Sequence, residues 1–175
     1  EANYTIPKSI FAPRAYDGNR QSDHAYYDTD EKLRQCIDLD MILCLSTHRM
    51  DTFIEQQGGT DEADACRTVL GDYASTVYGV FDFYCTLSKC DDICHMYAPA
   101  FKRFIADTQF EDKSSETCSP NDVTKLWKML NTDPTESANY INRYEWLQAL
   151  IRLAIMKYCP GTSVSLALKK LLNLD

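Results

Sequence analysis

Cys85, Cys90, Cys94 and His95 fall within eleven positions and carry the softest donor atoms in the chain. Zinc takes thiolate and imidazole ligands in a tetrahedron, and structural sites usually show two tight pairs separated by a longer segment. Here the second pair is missing, so Cys85 is read as a core residue, the other thiols as flanking a helix start, and no metal is assigned. Cys94 beside His95 does not make a nucleophile and its base, because neighbours on a helix point in different directions. His48 reads as a boundary histidine on an apolar helix, and His24 as a solvated one. The acid pairs Asp38 and Asp40, or Asp91 and Asp92, read as solvated faces. Gly58-Gly59 runs into Thr60-Asp61 without the lysine that a phosphate-cradling loop requires. The expectation is a protein with no catalytic residues and no cofactor.

One further segment has ligand spacing worth testing. A helix-loop-helix calcium unit needs oxygen donors at alternate early loop positions, a glycine at the sharp turn and a closing bidentate Glu. The closing half is present: Ile141 sits at the small strand position, Glu145 follows four residues later, and Trp146 takes the aromatic slot at the start of the exiting helix. The opening half is wrong. Asn131 to Glu145 spans 15 residues where about twelve are needed, Pro134 interrupts, and no Gly stands at the turn. Asn131, Asp133 and Thr135 could supply oxygens, yet the expectation is a loop that kept its packing and lost its ion. The stretch from Asp107 to Ser119, with Glu111, Asp112 and Glu116 but no Gly, reads as a solvated surface loop.

The elements that would position these residues are helical. Residues 1–27 hold Pro7, Pro13 and Gly18 among polar residues and read as an extended arm, with Ile10 and Phe11 as its apolar anchors. A helix starts at Asp28-Thr29-Asp30-Glu31, places Leu33, Ile37, Met41, Cys44, Leu45 and His48 on one face, and ends at Gly58-Gly59. Cys66, Val69, Leu70, Tyr73, Val77, Val80, Phe81 and Tyr84 trace a second, long core helix. A third carries Met96, Ala100, Phe101, Phe104 and Ile105 inward. Ser119, Pro120 and Asp122 specify the start of a fourth, with Val123, Leu126, Trp127 and Leu130 apolar. A broad apolar face from Trp146 to Tyr158 ends at Pro160-Gly161, and Ser163 or Ser165 caps a last helix with Leu168, Leu171 and Leu172. No strand alternation is evident. The predicted fold is all-α: a helical bundle of degenerate EF-hand-like pairs over residues 28–175, preceded by the arm.

Composition limits the partners. Hydrophobic residues at 45% and charged ones at 25% are globular values, which argues against disorder. A net charge of −8 argues against nucleic acid, whose phosphates need clustered Lys and Arg. No run of eighteen apolar residues occurs, and Glu1-Ala2-Asn3-Tyr4 lacks the pattern of a signal peptide, so no membrane segment is expected. The eight cysteines read as free thiols of a reducing compartment, with a secreted, disulfide-bonded helical carrier as the alternative. Tyr26, Tyr27 and Tyr97 sit on no predicted inner face; with Ile10 and Phe11, Tyr26 and Tyr27 are the expected partner-binding residues.

Met96-x3-Ala100-Phe101-Lys102-x-Phe104-x2-Asp107, then Asn121-Asp122-Val123 leading to Trp127, then Tyr140-Ile141-Asn142 with Glu145-Trp146-Leu147-Gln148-Ala149-Leu150 and Leu153-Ala154, resembles the EF-hand-like core of the tubulin polymerisation promoting protein family. The resemblance spans roughly residues 96–158. Upstream, Ile10-Phe11-Ala12-Pro13-Arg14, Tyr27-Asp28-Thr29-Asp30 and Tyr78-Gly79-Val80-Phe81-Asp82 look like protist proteins of ciliary type that place such a region before the same core. The resemblance implies a structural, non-catalytic role in the cytoskeleton, with microtubules or microtubule-associated proteins of cilia or flagella as partners. The chain departs from that family in being acidic, so contact through a bound partner or an apolar groove fits better than binding to acidic tubulin tails.

Overall fold

The computed structural model describes residues 29–88, 92, 94–111, 117–131, 140–159 and 161–173. The expected arm, with Ile10, Phe11, Tyr26 and Tyr27, lies outside the described residues. Within them run eight helices, α1 (Asp30–Ser46), α2 (Met50–Gly58), α3 (Glu62–Asp72), α4 (Ala74–Ser88), α5 (Ala98–Asp107), α6 (Pro120–Leu130), α7 (Arg143–Tyr158) and α8 (Val164–Leu172), and two short strands, β1 (Met96–Tyr97) and β2 (Tyr140–Ile141). The all-α character is therefore as expected, with one addition: the strands pair antiparallel, Met96 opposite Ile141 and Tyr97 opposite Tyr140.

The helix starts follow local chemistry. Thr29 accepts from the Lys32 backbone N–H at 3.3 Å, with Asp30 and Glu31 in the positive first turn of α1. Ser119 and Asp122 form the reciprocal capping box of α6, with Pro120 inside the first turn. Ser163, not Ser165, caps α8.

Two predicted helices are each broken in two. The first is interrupted at Thr47–Arg49, where Thr47 Oγ1 donates to Leu43 O at 2.9 Å and both His48 and Arg49 adopt φ of 51°. The left-handed region is costly for residues with a Cβ, so something outside the segment must hold it. The second is interrupted at Tyr73, the cap between α3 and α4, whose hydroxyl donates to Asn173 Oδ1 beyond the end of α8. Gly59, at φ 100°, closes α2 as a glycine should.

One buried cluster runs through all eight helices. α7 is its centre, packing on α1, α4, α6 and α8, with Trp146, Leu147, Ala149, Leu150, Ile151, Leu153 and Ala154 all buried. Phe110, in the stretch expected to be a solvated loop, is 2% exposed and lies beneath the Lys157 ammonium, 5.0 Å from the ring centre. A single phenylalanine among polar residues was the available signal.

Candidate functional site

The loop that leads into α5 and the loop that leads into α7 meet at the two-stranded ladder. Met96 and Ile141 are both fully buried there. On the first side, the Asp92 carboxylate organises the turn: it accepts from Tyr97 Oη at 2.8 Å, from the Cys94 backbone N–H at 3.3 Å, and pairs with His95 Nδ1 at 2.8 Å. These donors, the Tyr97 hydroxyl foremost, hold the Asp92 carboxyl below the usual carboxylate range. The His95 ring packs against Tyr140 with centroids 4.0 Å apart, and Tyr97 meets the same ring edge-on. Asp92, Tyr97 and Tyr140 thus tie the two loops through side chains as well as backbone. The sequence places Asp92 in a solvated acid pair; its role depends on donors that only the folded turn brings to it.

On the second side, Asn142 and Glu145 form the capping box of α7. Glu145 is 2% exposed, and its Oε2 accepts from the Asn142 backbone N–H at 2.7 Å. The carboxylate expected to close a calcium loop is thus engaged with its own helix terminus. At the far end of that loop, Asn131 Nδ2 donates to Trp127 O at 3.2 Å, while Asn131 Oδ1 is buried without a partner among the described residues. Asp133, Pro134 and Thr135 lie outside the described residues. Asn131 and Glu145 would be the described residues to hold a calcium ion. They fit one only in part: Asn131 has an oxygen to give, and Glu145 has one oxygen spent on the cap.

Beside Glu145, three side chains fasten α7 to the rest of the bundle. Trp146 Nε1 donates to Val77 O in α4 at 3.0 Å. Arg143 Nε lies 3.1 Å from Asp40 Oδ2 in α1, and Tyr78 Oη in α4 donates to that same oxygen at 2.7 Å. Burial, then the bond to Asp40, raises the Tyr78 hydroxyl well above the tyrosine range. Gln148, fully buried, donates from Nε2 to Cys44 O at 2.7 Å and to Thr47 O at 3.3 Å, and its Oε1 lies 3.2 Å from His48 Nδ1. Gln148 is what holds the break at the end of α1.

The cysteine group disperses. Cys85 is buried in α4 with its thiol pushed up to about 12 by burial, Cys94 is exposed, and Cys90 lies outside the described residues. His95, Cys94 and Asp82 share a cleft of about 350 Å³ with Asp40 and Arg143, but among the described residues no hydrogen bond joins the Cys94 thiol to the His95 ring. Nor, among the described residues, does any group of three or more His, Cys, Asp or Glu side chains form a metal cage. Among the described residues, no disulfide joins Cys36, Cys44, Cys66, Cys85, Cys94, Cys118 or Cys159. Among the described residues no helix is long and apolar enough to cross a membrane.

What the arrangement can do is hold two helix–loop–helix units in a fixed relation. Comparison with family models, with curated proteins and with solved structures returned no match for this chain.

Proposed function

We propose that this protein is a non-catalytic interaction module of the cytoskeleton, a degenerate EF-hand-like pair that docks by surface shape within a microtubule-based assembly of a cilium or flagellum. The observation that carries the reading is the Met96–Ile141 ladder. Each of its strands sits immediately before an exiting helix, α5 or α7, so α4–β1–α5 and α6–β2–α7 are two consecutive helix–strand–helix units joined back to back. In calcium modules an ion organises each loop. Here the Asp92 carboxylate does so on one side and the Asn142–Glu145 cap on the other, which leaves a scaffold shaped for protein contact. The cytoskeletal partner follows from the resemblance over residues 96–158. Leu39, Ile42 and Leu43, exposed at spacings of three and four on the outer face of α1, supply apolar contact area at 66%, 60% and 49% exposure.

The test is co-sedimentation with taxol-stabilised microtubules and with axonemal fractions. The expected result is a saturable pelleted fraction that falls at least about fivefold in I42E, a change at an exposed position that leaves folding intact. A protein that stays in the supernatant with both preparations would rule the cytoskeletal role out.

One observation favours a second reading, a calcium-responsive module: the unpartnered Asn131 Oδ1 at the mouth of the Asn131–Glu145 loop. Calorimetry with calcium separates the two. Binding heat abolished by E145A supports an ion in this loop, and no heat at millimolar calcium removes it.

A further inference from the structure

Between α4, α5, α7 and α8 lies a cavity of about 170 Å³ that plays no part in the reading above. Its floor is apolar and closed: Val77, Tyr84, Phe104, Phe110, Trp146 and Leu150 are each no more than 7% exposed. Its mouth is polar and open, formed by Thr76, Thr108 and Lys157, all exposed. An apolar cavity of about 150 Å³ in a helical protein stays dry and admits a benzene-sized guest, whereas a polar one fills with hydrogen-bonded water. The void is thus of a size to accept one ring or a short hydrocarbon chain and too small for a helix of a partner protein. Among the described residues that line it, Lys157 is the charged one; the Asp107 carboxylate, which accepts from Tyr84 Oη behind the wall, is itself paired with Arg103.

We propose that this cavity is a binding site for a small amphipathic carboxylate, with its ring or chain against Trp146 and Phe104 and its carboxylate at Lys157. Apolar burial supplies most of the affinity, and the ammonium fixes the orientation. Lys157 stands over the Phe110 ring at 5.0 Å, so its charge is already held at the rim before a ligand arrives. The part-buried Tyr158 ring completes the wall beside the buried Tyr84.

The probes are 3-phenylpropionate and its neutral counterpart 3-phenylpropanol, titrated into the full chain by calorimetry, with the change in tryptophan emission as a second readout of the Trp146 wall. Both are expected to bind saturably, the acid more tightly. K157M is expected to weaken the acid about three- to fivefold and to leave the alcohol unchanged. V80F, which grows a ring into the cavity, is expected to abolish binding of both; should V80F not fold, K157M decides alone. Failure of both probes to bind at millimolar concentration overturns the proposal. So does binding that ignores V80F in a folded variant, or acid binding that K157M leaves unchanged. Microtubule co-sedimentation reads a different surface, so loss of one result leaves the other standing.

Discussion

The backbone N–H of Asn142 donates to Oε2 of Glu145 at 2.7 Å, inside a site where Glu145 is 2% exposed. A carboxylate in the ion-closing position of a calcium loop has become part of a helix start. Removing it leaves a part-buried donor without that acceptor, so E145A should cost about 2 kcal/mol. In a chain of this size that lowers the melting temperature by about 4–8 °C. E145Q keeps an acceptor at the same place in the capping box and should cost about half as much or less. Thermal melts of the two variants check this, and a Gln variant as damaged as the Ala one would show that charge, not capping, is what the site uses.

Gln148 should be among the most sensitive polar residues. It is fully buried, and its amide donates to Cys44 O at 2.7 Å and to Thr47 O at 3.3 Å where α1 ends, adding to the bonds these carbonyls accept from Thr47 Oγ1 and the Met50 N–H. Q148A removes the short bond to Cys44 O, leaving that carbonyl only the 3.3 Å bond from Thr47 Oγ1, and opens a void, at a cost of about 2–3 kcal/mol. Urea unfolding measures it. Amide exchange at Thr47 to Met50 should accelerate more than elsewhere, since the left-handed pair His48–Arg49 loses its brace.

The same residue explains what the sequence could and could not announce. The apolar face Leu33, Ile37, Met41 and Cys44 is buried or part-buried as its periodicity predicts, because helical spacing is a local property. The break at Thr47–Arg49 has only a weak local mark, the Ser46 and Thr47 hydroxyls that bond back to Leu43 O, since no glycine or proline stands there; its brace lies a hundred residues away in α7. The ladder was hidden for a related reason. Strands of two residues are too short for alternation to register, and Met96 looked like one more residue of a helix face. Tyr97, left without a place by the helical pattern, proved to be a ladder residue bound to Asp92. Glu145 was recognised as special by position, but its partner is its own helix terminus.

Acid should destabilise the fold through hydrogen-bonded carboxylates near its surface. Asp92, Asp107 and Asp122 are held below the usual range, chiefly by Tyr97, Arg103 and Ser119 respectively. A depressed folded pKa contributes stability above the unfolded carboxylate value near 4, and that stability is lost as pH falls through the lower folded values. Asp82 has the opposite sign: burial raises its carboxyl, so its charged form opposes folding and acidification relieves it. With three groups against one, the melting temperature should hold down to about pH 4 and fall below it. D122N should flatten that fall, and a melting temperature that climbs between pH 4 and pH 2 would contradict the assignment.

Thiol chemistry should separate the cysteines by depth. Burial pushes the thiols of Cys44, Cys66 and Cys85 up to about 12, and only the thiolate attacks disulfide reagents. At pH 8 in the native state these three should label more slowly than exposed Cys94 by at least about a hundredfold, and at a common rate in denaturant. Mass spectrometry of the labelled peptides gives the order. Equal native rates would mean that the bundle opens freely around α1, α3 and α4.

The ladder is two residues long on each side, with Met96 and Ile141 fully buried. A joint that narrow resists sliding far better than it resists swinging. The Phe101 and Trp127 rings, 5.1 Å apart, join α5 to α6, and the Trp146 bond to Val77 joins α7 to α4, so a swing about the ladder has to break one of these two contacts.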